Sequence, residues 1–187
     1  MSGDKKIPDR EDVLHTVIES MYSKQILNNS HRGDVAEALV MMALGDEWNF
    51  VGLGWHPWDL QYGSGSNRIR IQVKNIALRQ IWGKTKTPTL VFGWKANPPS
   101  YFERDNPGIK IEDKGYFCEL FVFCLHLETD KENVDQVDPQ QWKFLVIPAK
   151  DLRQKRKSMV LSKALDKWTP VKWSGLEKKI ETVANKL

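Results

Sequence analysis

The sequence predicts an α/β domain in which a mixed β-sheet is flanked by helices. Three observations carry that expectation. Apolar residues recur at helical spacing in the first quarter of the chain, strand-like runs fill the middle, and a basic helical stretch follows. At 187 residues the chain is expected to form a single domain over 1–187, with its core at about 11–150. A long loop or insertion is expected over 79–115, and a basic helical C-terminal part over 149–187.

The first helix is expected from Glu11 to about Leu27, where Val13, Leu14, Val17, Ile18, Met21 and Tyr22 recur at helical spacing. Asn28, Asn29 and Ser30 are expected to end it. A second helix is predicted from about Asp34 to Leu44, with Gly45 as its stop. Its stretch VAEALVMMAL is apolar nearly all round and is expected inside the domain. Short strands are predicted near 50–53 and 58–62, then the turn GSGSN, then a strand from Arg68 to Ile76. In that last strand Ile69, Ile71 and Val73 alternate with Arg68, Arg70, Gln72 and Lys74. The segment TLVFGW is one possible strand in the insertion. YFCELFVFCLHL, Tyr116 to Leu127, is apolar on both faces and reads as a central, covered strand; WKFLVIP, Trp142 to Pro148, follows it. A short helix after Pro148 and helices near 159–168 and 176–184 complete the order.

Composition narrows the function classes. A net charge of +4 and a pI near 9.0 permit a nucleic-acid partner without requiring one. Eight Trp among basic residues suit base stacking, although core packing explains most tryptophans. Cys118 and Cys124 lie six apart in one expected strand, ~20 Å between Cα atoms and out of disulfide reach, and are too few for a zinc ribbon. MSGDKKIPDRED contains no apolar signal-like core and no apolar run approaches membrane-spanning length, so a soluble, cytoplasmic protein without a membrane partner is expected.

Period-two geometry puts Gln72 and Lys74 on one face of their strand, and the neighbouring strand supplies Asp59. An Asp carboxylate and a Gln carbonyl are hard oxygen donors of the type Mg²⁺ takes alongside water, and a lysine two residues on could stabilise a hydroxide attacking phosphorus. Glu37 is the only charge in VAEALVMMAL. Two readings stand for it: a carboxylate satisfied by a hydrated metal, or, through Asp34-x-x-Glu37, part of a helix-capping arrangement.

Glu37 on a helix, Asp59 on a strand and Gln72-Val73-Lys74 on the next together resemble the PD-(D/E)xK nuclease superfamily in its Q-x-K variant. HRGDVAEALV is similar to the first helix of Holliday junction resolvase-like members, and the likeness covers residues 30–76. The resemblance implies a restriction endonuclease-like core and a catalytic set of Glu37, Asp59, Gln72 and Lys74. It implies Mg²⁺, with Mn²⁺ as a substitute, bound by Asp59, Gln72 and the Val73 carbonyl, with Glu37 acting through water. Two departures accompany it. The family's Pro-Asp is here Pro57-Trp58-Asp59, and Gln72 replaces the commoner Glu, which leaves the site one negative charge short.

Arg32, Arg70, Arg79, Trp82, Lys84 and Lys86 are candidate nucleic-acid contacts, the last four because they mix aromatic and basic residues directly after the catalytic strand. For Arg70 a structural ion pair is the alternative, and for His31 and Arg32 a solvated loop. His56 could assist Asp59 or pack beside Trp55 or Trp58; His15 and His126 read as structural. The run KDLRQKRKS could track a nucleic-acid backbone or be a solvated face. The expected function is a metal-dependent nuclease acting on DNA. The alternatives are a non-catalytic nucleic-acid-binding or assembly module of the same fold, and a protein-interaction domain. Cutting both strands of a duplex would favour a two-fold homodimer.

Overall fold

The computed structural model describes residues 7–51, 58–85, 88–92, 117–152 and 157–187, together with the backbone of 101–102 and 110–111. Four α-helices occur among them: α1 (Arg10–Tyr22), α2 (Asn29–Leu44), α3 (Leu161–Leu165) and α4 (Leu176–Ala184). The strands are β1 (Trp48–Phe50), β2 (Leu60–Tyr62), β3 (Ile69–Ala77), β4 (Arg79–Gln80), β5 (Gly83–Lys84), β6 (Thr89–Val91), β7 (Tyr101–Phe102), β8 (Lys110–Ile111), β9 (Leu120–His126), β10 (Trp142–Pro148), β11 (Ser158–Val160) and β12 (Val171–Lys172).

A six-stranded mixed sheet in the order β1-β2-β3-β9-β10-β12 forms the centre. Only β3 and β9 run parallel, from Ile71 opposite Leu120 to Ala77 opposite His126. Every residue of β9 is buried, as an apolar run covered on both faces requires. On one face Ile71, Val73, Val122 and Cys124 pack against Ala36, Leu39 and Val40 of α2 and Leu176 and Ile180 of α4. On the other, Phe121, Phe123 and Leu125 pack with Trp58, Leu90 of β6 and Leu161 and Ala164 of α3. The protein is therefore a mixed α/β fold with its sheet flanked by helices.

Several boundaries differ from the expectation, each for a local reason. Asn28 does not end a helix but caps α2, its side chain accepting the His31 N–H at 2.9 Å. Asp34 and Glu37 consequently lie inside α2 rather than at its start, and the capping reading of Glu37 falls. The α2 stretch is not interior all round, since Met42 is 70% exposed. Helix α1 carries a reciprocal Asp9–Asp12 capping box and ends at Tyr22, yet none of its residues is buried. The 159–168 helix shrinks to α3 because Met159 belongs to β11, which pairs with β6. The expected helix after Pro148 is a single 3₁₀ turn, Ala149–Asp151.

The GSGSN segment forms the connection that brings β2 back onto β3. Gly63 takes a φ of 62°, and a Cβ there would stand 3.1 Å from the Asn67 carbonyl oxygen. No helix among the described residues is long and apolar enough to cross a membrane.

Candidate metal and nucleic-acid site

The site forms where β2 stops pairing with β3. Their ladder ends at Leu60 opposite Ile71, and the Asp59 N–H still donates to the Ile71 carbonyl at 2.9 Å. Beyond that point β3 has no strand neighbour on this side among the described residues, and the Asp59 side chain bonds its edge. The Val73 N–H donates to Asp59 Oδ2 at 2.6 Å and Gln72 Nε2 donates to the same oxygen at 2.8 Å. Because the N–H and C=O of one strand residue point the same way, the Val73 carbonyl faces this edge too.

Gln72 and Lys74 alternate to the face shared with Phe121 and Phe123, their register partners on β9. Glu37 comes from α2, over the other face. The groups are close enough for charge to act between them. The Glu37 carboxyl is pushed up to about 7, first by burial, then by the Asp59 and Asp34 carboxylates, with Lys74 pulling it back. Burial raises Asp59 as well, opposed by Lys74 and by the Val73 and Gln72 hydrogen bonds. Two acids that resist ionisation beside a lysine and two donated hydrogen bonds are a place where a cation would be stabilising.

The donor set fits a hard divalent ion. With Gln72 Nε2 committed to Asp59, its Oε1 joins the Asp59 carboxylate, the Val73 carbonyl and Glu37 as oxygen donors. No group of three His, Cys, Asp or Glu side chains that could hold a metal occurs among the described residues. This set has two carboxylates, with an amide and a backbone carbonyl supplying the rest, which suits an ion that keeps much of its water.

The nucleic-acid candidates fall into distinct groups. Arg70 is 8% exposed and takes the structural alternative: its Nη2 lies 2.6 Å from Glu119 Oε1, its N–H donates to Glu119 Oε2 at 2.7 Å, and its guanidinium stands 5.0 Å over the Trp58 ring. Arg32 is neither a phosphate contact at the surface nor part of a solvated loop. It lies buried in α2, with Nε donating to Asn75 Oδ1 at 2.8 Å, Nη1 to Gln80 Oε1 at 3.0 Å and Nη2 to Asn29. His31 rests against Tyr22 with ring centroids 5.2 Å apart. Arg79 is half-buried, whereas Trp82 and Lys84 are exposed. His126 is structural: it is buried, with Nε2 3.1 Å from both the Asp135 carbonyl and Gln141 Oε1. His15 sits exposed on α1. Lys86, Trp55, His56, Pro57, Arg153, Lys155 and Arg156 lie outside the described residues.

Sequence reasoning missed Glu119, the partner that takes Arg70 out of the surface. Its signal was available, because Glu119 is the only carboxylate in YFCELFVFCLHL, the same oddity that marks Glu37.

No protein-family model matches the chain, and no curated protein matches it. Among solved structures the chain is similar to a bacterial homing endonuclease, I-Ssp6803I, at 16% identity and a TM-score of 0.43 over 84% of this chain and 93% of that one. A likeness this loose carries no argument about activity.

Proposed function

We propose that the protein is a metal-dependent nuclease of the PD-(D/E)xK kind that hydrolyses phosphodiester bonds in DNA. One observation carries the reading: Asp59 closes the open edge of β3 by accepting from both Val73 and Gln72, with Lys74 and Glu37 within electrostatic reach. Asp59, Gln72 Oε1 and the Val73 carbonyl would hold Mg²⁺ or Mn²⁺, and Glu37 would act through water. The ion would supply charge neutralisation at the phosphate and an acidified water.

The chain's own groups account for the rest. Lys74, half-buried and close enough for its charge to act on Glu37 and Asp59, would stabilise the hydroxide and phosphate charge that develops in the reaction. Gln72 orients Asp59 through Nε2, so an amide serves where the usual Glu would add a third negative charge. On the opposite face the Cys124 thiol lies 3.9 Å from the Ala36 carbonyl, part of the packing that seats α2, and with it Glu37, against the sheet.

The test is cleavage of DNA by purified protein with Mg²⁺ or Mn²⁺, alongside Asp59→Ala and Lys74→Ala. Both variants should lose cutting by at least about 100-fold; cutting at the wild-type rate in both sinks the assignment. The second reading, a non-catalytic nucleic-acid-binding or assembly module, is favoured by Gln72. It predicts no Asp59-dependent metal affinity but a retained, salt-sensitive shift of labelled DNA.

A further inference from the structure

Strand register pairs Arg79 with Lys84 and Gln80 with Gly83, which leaves Ile81 and Trp82 as the two loop residues of a β4–β5 hairpin. Two-residue hairpin loops normally use Asn, Asp and Gly, whose conformations and polarity suit a solvated turn. Here the turn carries an isoleucine and a tryptophan, 61% and 73% exposed. Both stand mostly clear of the described residues, so packing among these does not explain them.

The base of this hairpin is pinned on all sides. Thr85 donates through its N–H to the Leu78 carbonyl at 2.7 Å and through Oγ1 to the Ala77 carbonyl at 3.1 Å. Gln80 Nε2 reaches the Ala77 carbonyl at 2.9 Å, and Gln136 Nε2 reaches the Arg79 carbonyl at 2.9 Å. Arg32, buried in α2, joins Gln80 to Asn75 of β3. The tip is thereby held in fixed relation to the strand that carries Gln72 and Lys74. Trp82 lies eight positions after Lys74, which bounds their Cα separation at ~29 Å, less than one turn of duplex. The exposed Lys84 adds positive charge at the base of the tip.

We infer that Ile81 and Trp82 form a rigid wedge that enters a base step of the nucleic acid held at the proposed site, stacking the indole on an exposed base. The inference rests on the nucleic-acid reading above but not on cleavage. A narrow apolar tip on a pinned hairpin has the shape for this, since inserted apolar side chains unstack a step and an indole face replaces the lost stacking.

The experiment uses duplex DNA carrying 2-aminopurine at successive positions within one turn, bound to the full chain in EDTA so that no cutting occurs. Affinity is read separately by anisotropy of a terminal dye. Wild type should raise 2-aminopurine fluorescence several-fold at one step. Trp82→Ala should abolish that rise and weaken binding about tenfold or more, whereas Trp82→Phe should keep both. Because both tip residues are exposed, the melting temperature should not move. Unchanged signal and affinity in Trp82→Ala overturn the wedge, as does wild type that produces no fluorescence rise. A drop in sedimenting mass on Ile81→Ser or Trp82→Ala also overturns it, because the tip is then a protein contact. Asp59→Ala should retain the signal. A Trp82-dependent signal in a protein that never cuts removes the nuclease reading alone; cutting without the signal removes the wedge alone.

Discussion

Gln72 Nε2 donates to Asp59 Oδ2 at 2.8 Å, joining residues 13 apart in sequence at the edge where β2 has ended. The bond gives the glutamine a role that a glutamate at the same place could not fill without a proton. Gln72→Glu would replace a donor with a third carboxyl beside Asp59 and Glu37, both already raised by burial. The variant should be less stable than wild type at pH 8 in EDTA by about 1–3 kcal/mol. Saturating Mg²⁺ should restore more stability to it than to wild type. Thermal melts with and without the ion decide the matter, and equal Mg²⁺ responses count against a metal at this edge.

Glu37 supplies a pH dependence. Its carboxyl is pushed up to about 7 in the folded protein and returns to its ordinary value of 4.5 when the chain unfolds. Between those values the folded state binds more protons, so stability falls as pH rises from about 4.5 to 7 and remains reduced above. Glu37→Gln removes that loss. Without metal it should exceed wild type by about 1 kcal/mol at pH 8, a figure reduced for solvent screening, and match it near pH 4. Urea unfolding at the two pH values measures the difference; a gain at pH 4 instead would reverse the assignment.

These residues show where the sequence was legible and where it was not. The alternation of β3 and the apolar run of β9 were readable because period and hydropathy are local properties, and α4 emerged over its expected span. Glu37, Gln72 and Lys74 stand out locally because each breaks or follows a pattern, and the contact of Asp59 with Gln72 and Val73 needed the fold. Arg32 and Arg70 were not separable from surface arginines, since what buries them is a partner 43 or 49 residues away. The start of α2 was misplaced for a related reason: Asn28 can end one helix or cap the next, and only the His31 N–H it accepts decides. The amphipathic pattern of α1 was present, but period reports which face is apolar and not whether anything among the described residues covers it.

The two thiols give a simpler check. Cys118 and Cys124 are free and buried, and burial raises both thiols well above their ordinary range. Cys124 is also opposed by the Glu37 and Asp59 charges. Neither should react with a thiol-directed disulfide reagent in the native protein, and both should react once urea unfolds it. Counting released chromophore before and after denaturant tests this. One fast-reacting thiol in the native state would mean that a covered face of the sheet is open.

The Arg70–Glu119 pair should hold the site in shape more than it stabilises the fold. Glu119 accepts from the Arg70 N–H and guanidinium, its own N–H donates to the Arg70 carbonyl at 3.0 Å, and the guanidinium covers Trp58, the neighbour of Asp59. Arg70→Ala strands a carboxylate that is 29% exposed, and Glu119→Ala strands a guanidinium that is 10% exposed. Each should cost about 2–4 kcal/mol, the upper end belonging to the more buried orphan. Arg70→Met with Glu119→Gln leaves no charge behind and keeps an acceptor for the residue-70 N–H, so most of the loss should return. A double-mutant cycle by urea denaturation isolates the coupling. If the paired variant recovers stability yet binds Mg²⁺ or Mn²⁺ at least about tenfold more weakly, the ion pair is what aligns Trp58 and Asp59. If its affinity equals wild type, the pair anchors β3 to β9 and Asp59 is set by Val73 and Gln72 alone.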